Sequence, residues 1–374
     1  MNKLNINKSL KNHSSKQVQP PPAAAAAQVR SIKLGIDVHA DFYVVVRIVD
    51  GSAAQPAQRF SPAGFLHWCV KQKELAQEVY ACYEAGPFGY SLHRRLEQMG
   101  VVNYVVRPRD WDQYGQRVKT DQRDAAALAE CLDRYVAGNR RAFGVVRVPT
   151  PEQEQRRSLA RQRESLQKQK QRLAAQGRSH ALYYGRRLKG EWWRPRLWEK
   201  ARWELPAIVV NLLEPLRRLI EAVETELAVR TTELQAAAPP ALPLGLGRLT
   251  AEILEREVAD WRRFSNRKEV ASYTGLCPTE DSSGRRRFQG SINKCGNRRL
   301  RTALIEGMWR LTYFQPGYRG VKKWSAVLGD ATAGPARRKK AIVALARIFA
   351  VDWWRVRTGR CRAQDLGLQL RSAM

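Results

Sequence analysis

Residues 32–51 read IKLGIDVHADFYVVVRIVDG: two β-branched runs, 32–38 and 42–49, parted by a short polar break. Runs of this kind on either side of a break predict a hairpin. Asp50-Gly51 then turns the chain again, into a third strand near 57–60. Downstream the pattern alternates, with a helix over 62–75, a strand over 79–84, a helix over 90–98 and a strand over 101–106. Three leading strands followed by alternating helix and strand predict a mixed α/β sheet. The order fits a ribonuclease-H-like domain better than a doubly wound nucleotide-binding one, since no G-x-G-x-x-G follows the first strand.

The texture changes after about residue 150. Residues 151–181 are rich in Gln, Arg, Leu and Ala, with Leu159, Leu166 and Leu173 seven apart. Over 213–234, Leu213, Leu216, Ile220, Val223, Leu227 and Leu234 keep a heptad-like spacing that Arg230 interrupts. That spacing suits a coiled-coil seam or an ordinary helical hairpin core. Between these stretches lies GEWWRPRLWEKARW, whose aromatics read as core before they read as base-stacking surface. LPLGLGRLTAEILERE, from Leu242, is a Gly-x-Gly turn opening a helix, a weak phosphate-binding pattern. The last block, 336–357, reads as a helix with Val343, Ala346, Ala350 and Trp353 on one face.

Composition narrows the partners. The 374 residues carry 66 Lys and Arg against 35 Asp and Glu, a formal charge of +31. Such an excess calls for a polyanion, and nucleic acid is the expected one. No apolar run is long enough to span a bilayer, and no secretory h-region opens the chain, so a cytoplasmic, nucleoid-associated protein is expected. Cys69, Cys82, Cys131, Cys277, Cys295 and Cys361 are scattered, without a C-x-x-C pair, which argues against structural zinc. Residues 1–30 hold Lys3, Lys8, Lys11, Lys16 and Arg30 and no acid, and read as a disordered basic tail.

In a chain poor in acids, the placement of a few counts. Asp37 lies near the end of the first strand, in GIDVHA, and Glu84 ends a later one, in YEAGPFGY. Asp121 and Asp124, in KTDQRDAAALAE, are three apart on one helical face. Each has a bland reading, as a strand end or a helix cap. Together they can converge, and crowded carboxylates need a hard cation such as Mg²⁺ or Mn²⁺. Two such ions would clamp the attacking and leaving oxygens of a phosphodiester.

GIDVHA, YEAG and KTDQRDA resemble the Asp-Glu-Asp-Asp signature of the insertion-sequence 110 family of transposases, which includes the pilin-gene invertase. LPLGLGRLTAEIL and YTGLCPTEDSSGRRRFQGSINKCGNRRLRTALIEG resemble that family's C-terminal domain, and the match runs from about Gly35 to Val356. Gly86-Pro87 stands where the family often has Thr-Gly, and the Trp-rich segment is absent from many members. The resemblance implies a RuvC-like catalytic domain over 31–150, a helical or coiled-coil linker over 151–240 and a serine domain over 241–374. It further implies DNA, donor and target, as substrate, a structured non-coding guide RNA, and a homo-oligomer, a dimer or tetramer.

The same resemblance makes the Ser before Gly a nucleophile, favouring Ser283 over Ser282. Around it Arg285, Arg286, Arg287, Lys294, Arg298, Arg299 and Arg301 face one acid, Asp281, and form an expected anion site. No His lies nearby in sequence to activate the hydroxyl, so activation is expected from the carboxylate–metal site, across a domain interface or from another subunit. Two other readings stand beside the recombinase: a metal-dependent junction nuclease using water, and a non-catalytic nucleic-acid-binding protein.

Overall fold

A computed structural model describes residues 29–108, 120–283 and 286–371, the side chain of Arg287 excepted, and the chain divides into two compact units, Met1–Val148 and Pro149–Met374. Most of the basic tail, together with Gly284 and Arg285, lies outside the described residues.

The first unit is a five-stranded mixed sheet between helices. Its elements are β1 (Val29–Val38), β2 (Tyr43–Val49), β3 (Gln58–Phe60), α1 (Pro62–Leu75), β4 (Ala76–Glu84), α2 (Ser91–Gln98), β5 (Val102–Val106) and α3 (Asp121–Val136). The strand order is β3-β2-β1-β4-β5, antiparallel among the first three and parallel from β1 to β5. Asp50 and Gly51 both take positive φ, as the Asp-Gly turn requires. Strand β4 begins three residues before the sequence pattern announces it, because exposed Gln77 and Glu78 conceal its start.

Alternation along β1 splits its side chains between two layers. Ile32, Leu34 and Ile36 join Phe65 and Cys69 of α1 and Leu92 and Leu96 of α2 in one core. Lys33, Gly35 and Asp37 face α3. Lys33, almost fully buried, pairs with Asp133 at 3.0 Å near the end of that helix. At Gly35 the two backbones nearly touch: a Cβ there would stand 2.3 Å from both the Ala125 carbonyl oxygen and the Ala129 nitrogen. Helix α3 therefore runs antiparallel to β1, its first turn above Asp37.

The second unit is mainly helical: α4 (Pro151–Tyr183), α5 (Pro195–Glu204), α6 (Ala207–Ala236), β6 (Leu242–Pro243), α7 (Arg248–Val258), α8 (Arg267–Thr274), β7 (Pro278–Ser283), β8 (Arg286–Ile292), α9 (Arg298–Phe314), α10 (Arg319–Leu328), α11 (Pro335–Arg357) and β9 (Leu370–Arg371). A Thr150–Gln153 capping box starts α4, which packs along α6. Leu213, Leu216, Ile220, Leu227 and Leu234 of α6 are buried. In α4 the buried positions are Ala160, Ala174, Gly177 and Ala181, while the heptad-spaced leucines are only half-buried. Trp192 accounts for the small residues near the end of the helix: a Cβ on Gly177 would lie 2.2 Å from its ring, and its Nε1 donates to the Ala174 carbonyl at 3.1 Å. Trp192, Trp193 and Trp198 are core, as expected, while Trp203 is exposed. A larger core joins α7 to α11 through residues such as Leu254, Met308, Leu345 and Phe349. The Gly-x-Gly turn serves packing, since a Cβ on Gly245 would meet Phe314 of α9 at 2.9 Å.

Candidate functional site

The first candidate centre is built by the crossing of β1 and α3. Asp121, Ala125 and Ala129 form one stripe of α3 at i, i+4 spacing. The small residues let the helix settle on Gly35, and that contact carries Asp121 over Asp37, two residues further along the same strand face. Thr120 caps the helix, its hydroxyl accepting from the Arg123 N–H at 3.4 Å, so Asp121 is the first helical residue rather than the cap.

A third group completes the cluster. His39 Nε2 lies 3.1 Å from Asp37 Oδ2 and 3.5 Å from Asp121 Oδ2. Its backbone N–H donates to the Phe42 carbonyl at 3.0 Å, and its ring stacks on Phe42 at 4.5 Å between centroids. One ligand atom from each of Asp37, His39 and Asp121 falls within 4.8 Å of the others. Burial pushes the Asp37 carboxyl above its ordinary value; His39 opposes this by hydrogen bond and charge, and Asp121 and Asp124 add to it.

Asp124 therefore acts on Asp37 through charge, from the same first turn of α3. Glu84 stands one step beyond the Ile36–Tyr83 pair, beside Asp37 at the carboxyl end of the neighbouring parallel strand, and on the α3 face like Cys82. Neither belongs to the 4.8 Å cluster. His39 is the residue that sequence reading missed, although its i+2 spacing from Asp37 was a usable signal. The donor set, carboxylate oxygens with one imidazole, fits a divalent cation of the Mg²⁺ or Mn²⁺ kind. Like charges crowded onto a half-buried Asp37 give such an ion a reason to bind.

The second candidate centre is the β7–β8 hairpin, an antiparallel pair with Ser282 opposite Arg287 and Ser283 opposite Arg286. Both serines are exposed. Ser282 Oγ donates to Glu280 Oε1 at 3.0 Å, whereas the Ser283 hydroxyl makes no hydrogen bond among the described residues. Of the predicted cations, Arg286, Lys294 and Arg298 are exposed. Arg299 pairs with Glu164 of α4. Arg301 donates to the carbonyls of Thr274 and Lys294, both at 3.2 Å, and so braces the foot of the hairpin. Arg285 and the Arg287 side chain lie outside the described residues.

Residues 244–321 match the family description "Transposase IS116/IS110/IS902 family". Over 300 residues the chain is 34% identical to "Putative transposase y4rJ" of Sinorhizobium fredii, covering 73% of this chain and 75% of that protein. It is 27% identical over 290 residues to the "Transposase for insertion sequence element IS1111A" of Coxiella burnetii, covering 73% of this chain and 76% of that one. Against the "Transposase for insertion sequence element IS1328" of Yersinia enterocolitica the identity is 26% over 224 residues, covering 57% and 65%.

Proposed function

Since the chain belongs to the IS116/IS110/IS902 family of transposases, we propose that it cuts and rejoins DNA strands with a carboxylate–metal centre and a serine nucleophile. The convergence of Asp37, His39 and Asp121 at the carboxyl end of β1 carries this reading. The β3-β2-β1-β4-β5 order supports a ribonuclease-H-like, RuvC-like fold for the unit that holds it. Asp37, Asp121 and His39 would hold a Mg²⁺ or Mn²⁺ ion, with Asp124 and Glu84 beside them. A bound divalent ion supplies Lewis-acid stabilisation of phosphodiester oxygens.

The hairpin supplies the nucleophile. Ser283 Oγ attacks phosphorus, the bond to a deoxyribose oxygen breaks, the serine proton ends on that leaving oxygen, and the covalent link keeps the energy needed to reseal the strand. Arg286, Lys294 and Arg298 stabilise the charge of the transition state. The Ser283 hydroxyl, without a hydrogen bond among the described residues and beside a Ser282 held by Glu280, favours Ser283 for this role. The partners we propose are donor and target DNA and a structured non-coding RNA, consistent with a charge of +31, acting on a dimer or tetramer whose long α4–α6 pair assists assembly.

The test uses Ser283→Ala, Ser282→Ala and Asp37→Asn in the full chain. The unaltered protein is expected to leave a denaturant-resistant protein–DNA adduct on a nicked substrate. Ser283→Ala should abolish the adduct while binding persists, Ser282→Ala should be milder, and Asp37→Asn should abolish cleavage. Clean cutting without an adduct in the unaltered chain would instead establish the nuclease reading.

A further inference from the structure

The second unit holds a cleft of about 1310 Å³ between α8, the root of the β7–β8 hairpin, α10 and α11. It exceeds the roughly 300–1,000 Å³ of a typical small-molecule site. Its lining includes Arg267, Lys268, Lys323, Lys339, Lys340 and Arg347, and none of these forms an ion pair among the described residues. One acid, Asp352, also lines it, but its buried carboxylate is taken up by Arg319, by Arg355 at 3.5 Å and by the Tyr318 hydroxyl at 2.9 Å. The cleft is thus strongly cationic, and none of these residues belongs to the serine hairpin's own cluster.

The rest of the lining is apolar. Ile292, Val343, Ile348 and Val351 are half-buried in it, and two aromatic rings, Phe288 and Trp324, complete the wall. Phe288 is 63% exposed, on a strand where a polar side chain would cost nothing. In an intact duplex a protein meets phosphates and base edges, the base faces being covered by their stacked neighbours. Unpaired bases have faces that stack on such a wall while their phosphates meet surrounding cations. A small anion would need the cations but not the rings.

We infer that this cleft binds a single-stranded segment of polynucleotide, its phosphates on the Arg267–Lys268, Lys323 and Lys339–Lys340–Arg347 cations and an unstacked base against Phe288. The inference rests on the transposase reading only for the presence of polynucleotide substrate. Because the cleft is walled by the root of the hairpin that bears Ser283, it holds an unpaired strand next to the element that acts on it.

Fluorescence anisotropy of labelled oligo(dT), oligo(rU) and a closed DNA hairpin duplex, titrated with the full chain, tests the cleft without any cleavage step. Phe288→Ala should weaken single-strand binding about tenfold, the effect of losing one stacked base, and leave duplex binding unchanged. The double variant Lys339→Gln/Lys340→Gln should lower the salt slope for single strands by about 1.4, at about 0.7 per contact. A loss on oligo(rU) alone assigns the strand to RNA, and losses on both oligomers assign it to either polymer; each supports the cleft. Unchanged single-strand affinity in both variants, or an equal loss on duplex, would overturn it. Should Phe288→Ala not fold, the lysine pair decides alone. Absence of cutting by the unaltered chain would count against the transposase chemistry and not against this cleft.

Discussion

At Gly35 a single missing methyl group sets the geometry of the candidate metal centre. Its contacts with Ala125 and Ala129 are between backbones, so no flexible side chain can yield. Gly35→Ala should cost about 1–3 kcal/mol, as overpacking of a close-packed interface does, and should lift Asp121 away from Asp37. A lower melting temperature together with weaker Mn²⁺ binding would be measured; a wild-type Mn²⁺ affinity in a folded variant would show that the crossing does not set the site. His39→Ala should reduce the preference for Mn²⁺ over Mg²⁺, because the imidazole is the softer donor of the set, and competition titrations read that preference directly. That Asp37 and Glu84 lie at strand ends and Asp121 and Asp124 in the first turn of a helix was legible in the sequence, because acids are scarce in this chain; Glu84 and Asp124 nevertheless fall outside the cluster of Asp37, His39 and Asp121. His39 was not, because a histidine in a polar break looks like a turn residue until the turn folds its ring back onto Asp37.

Among the elements, the strands announced themselves through β-branched runs, while the leucine spacing of α4 left a coiled-coil seam and a hairpin core equally open. Its heptad-spaced leucines are only half-buried, and around residues 174–177 the ring of Trp192, from a different segment, leaves room only for alanine and glycine. Trp192→Ala should therefore cost about 3–5 kcal/mol through lost burial and an unfilled cavity, seen as a large fall in the midpoint of chemical denaturation. Helix α7 carries a buried pair, Glu252 and Arg256 at 2.6 Å, with side chains 1% and 5% exposed. Removing one partner strands a buried charge, so Glu252→Ala should destabilise by about 3–5 kcal/mol, whereas Glu252→Leu/Arg256→Leu should be close to neutral. Equal losses in the two would show that packing, not charge, dominates there. Glu164 ties α4 to α9: despite burial, hydrogen bonds from Lys168 and Arg299 hold its carboxyl below the ordinary glutamate range. A lowered value means the tie is complete above the ordinary glutamate range and is lost as pH falls through the folded value. Thermal melts between neutrality and mild acid should show that loss, and Glu164→Gln should flatten it.

Over the whole molecule, charge governs how the protein meets its substrate. Deleting residues 1–28 leaves every strand of the sheet in place, since β1 starts at Val29, and removes Lys3, Lys8, Lys11 and Lys16. Duplex affinity should fall mainly at low salt, with the salt slope shallower by no more than about 3.6, at about 0.9 per lost contact. Recombination at wrong sites by the shortened chain would instead make the tail a reader of sequence. No helix among the described residues is long and apolar enough to cross a membrane. Net charge was legible from composition alone; the cleft that gathers part of it was not, because its cations come from α8, α10 and α11, far apart in the chain.

The β7–β8 pair is a two-stranded sheet of its own, with exposed side chains along β7 and its anchorage at one end. An isolated pair of strands is only marginally stable in water, so the proposed nucleophile rides on an arm whose rigidity must be borrowed from what it grips. Its amides in β7 and β8 should exchange hydrogen quickly in the free protein and slowly once a polynucleotide is engaged. On the serine-nucleophile proposal, a strand that fails to brace the arm should be released uncut, and fidelity would come from mechanics as well as from chemistry.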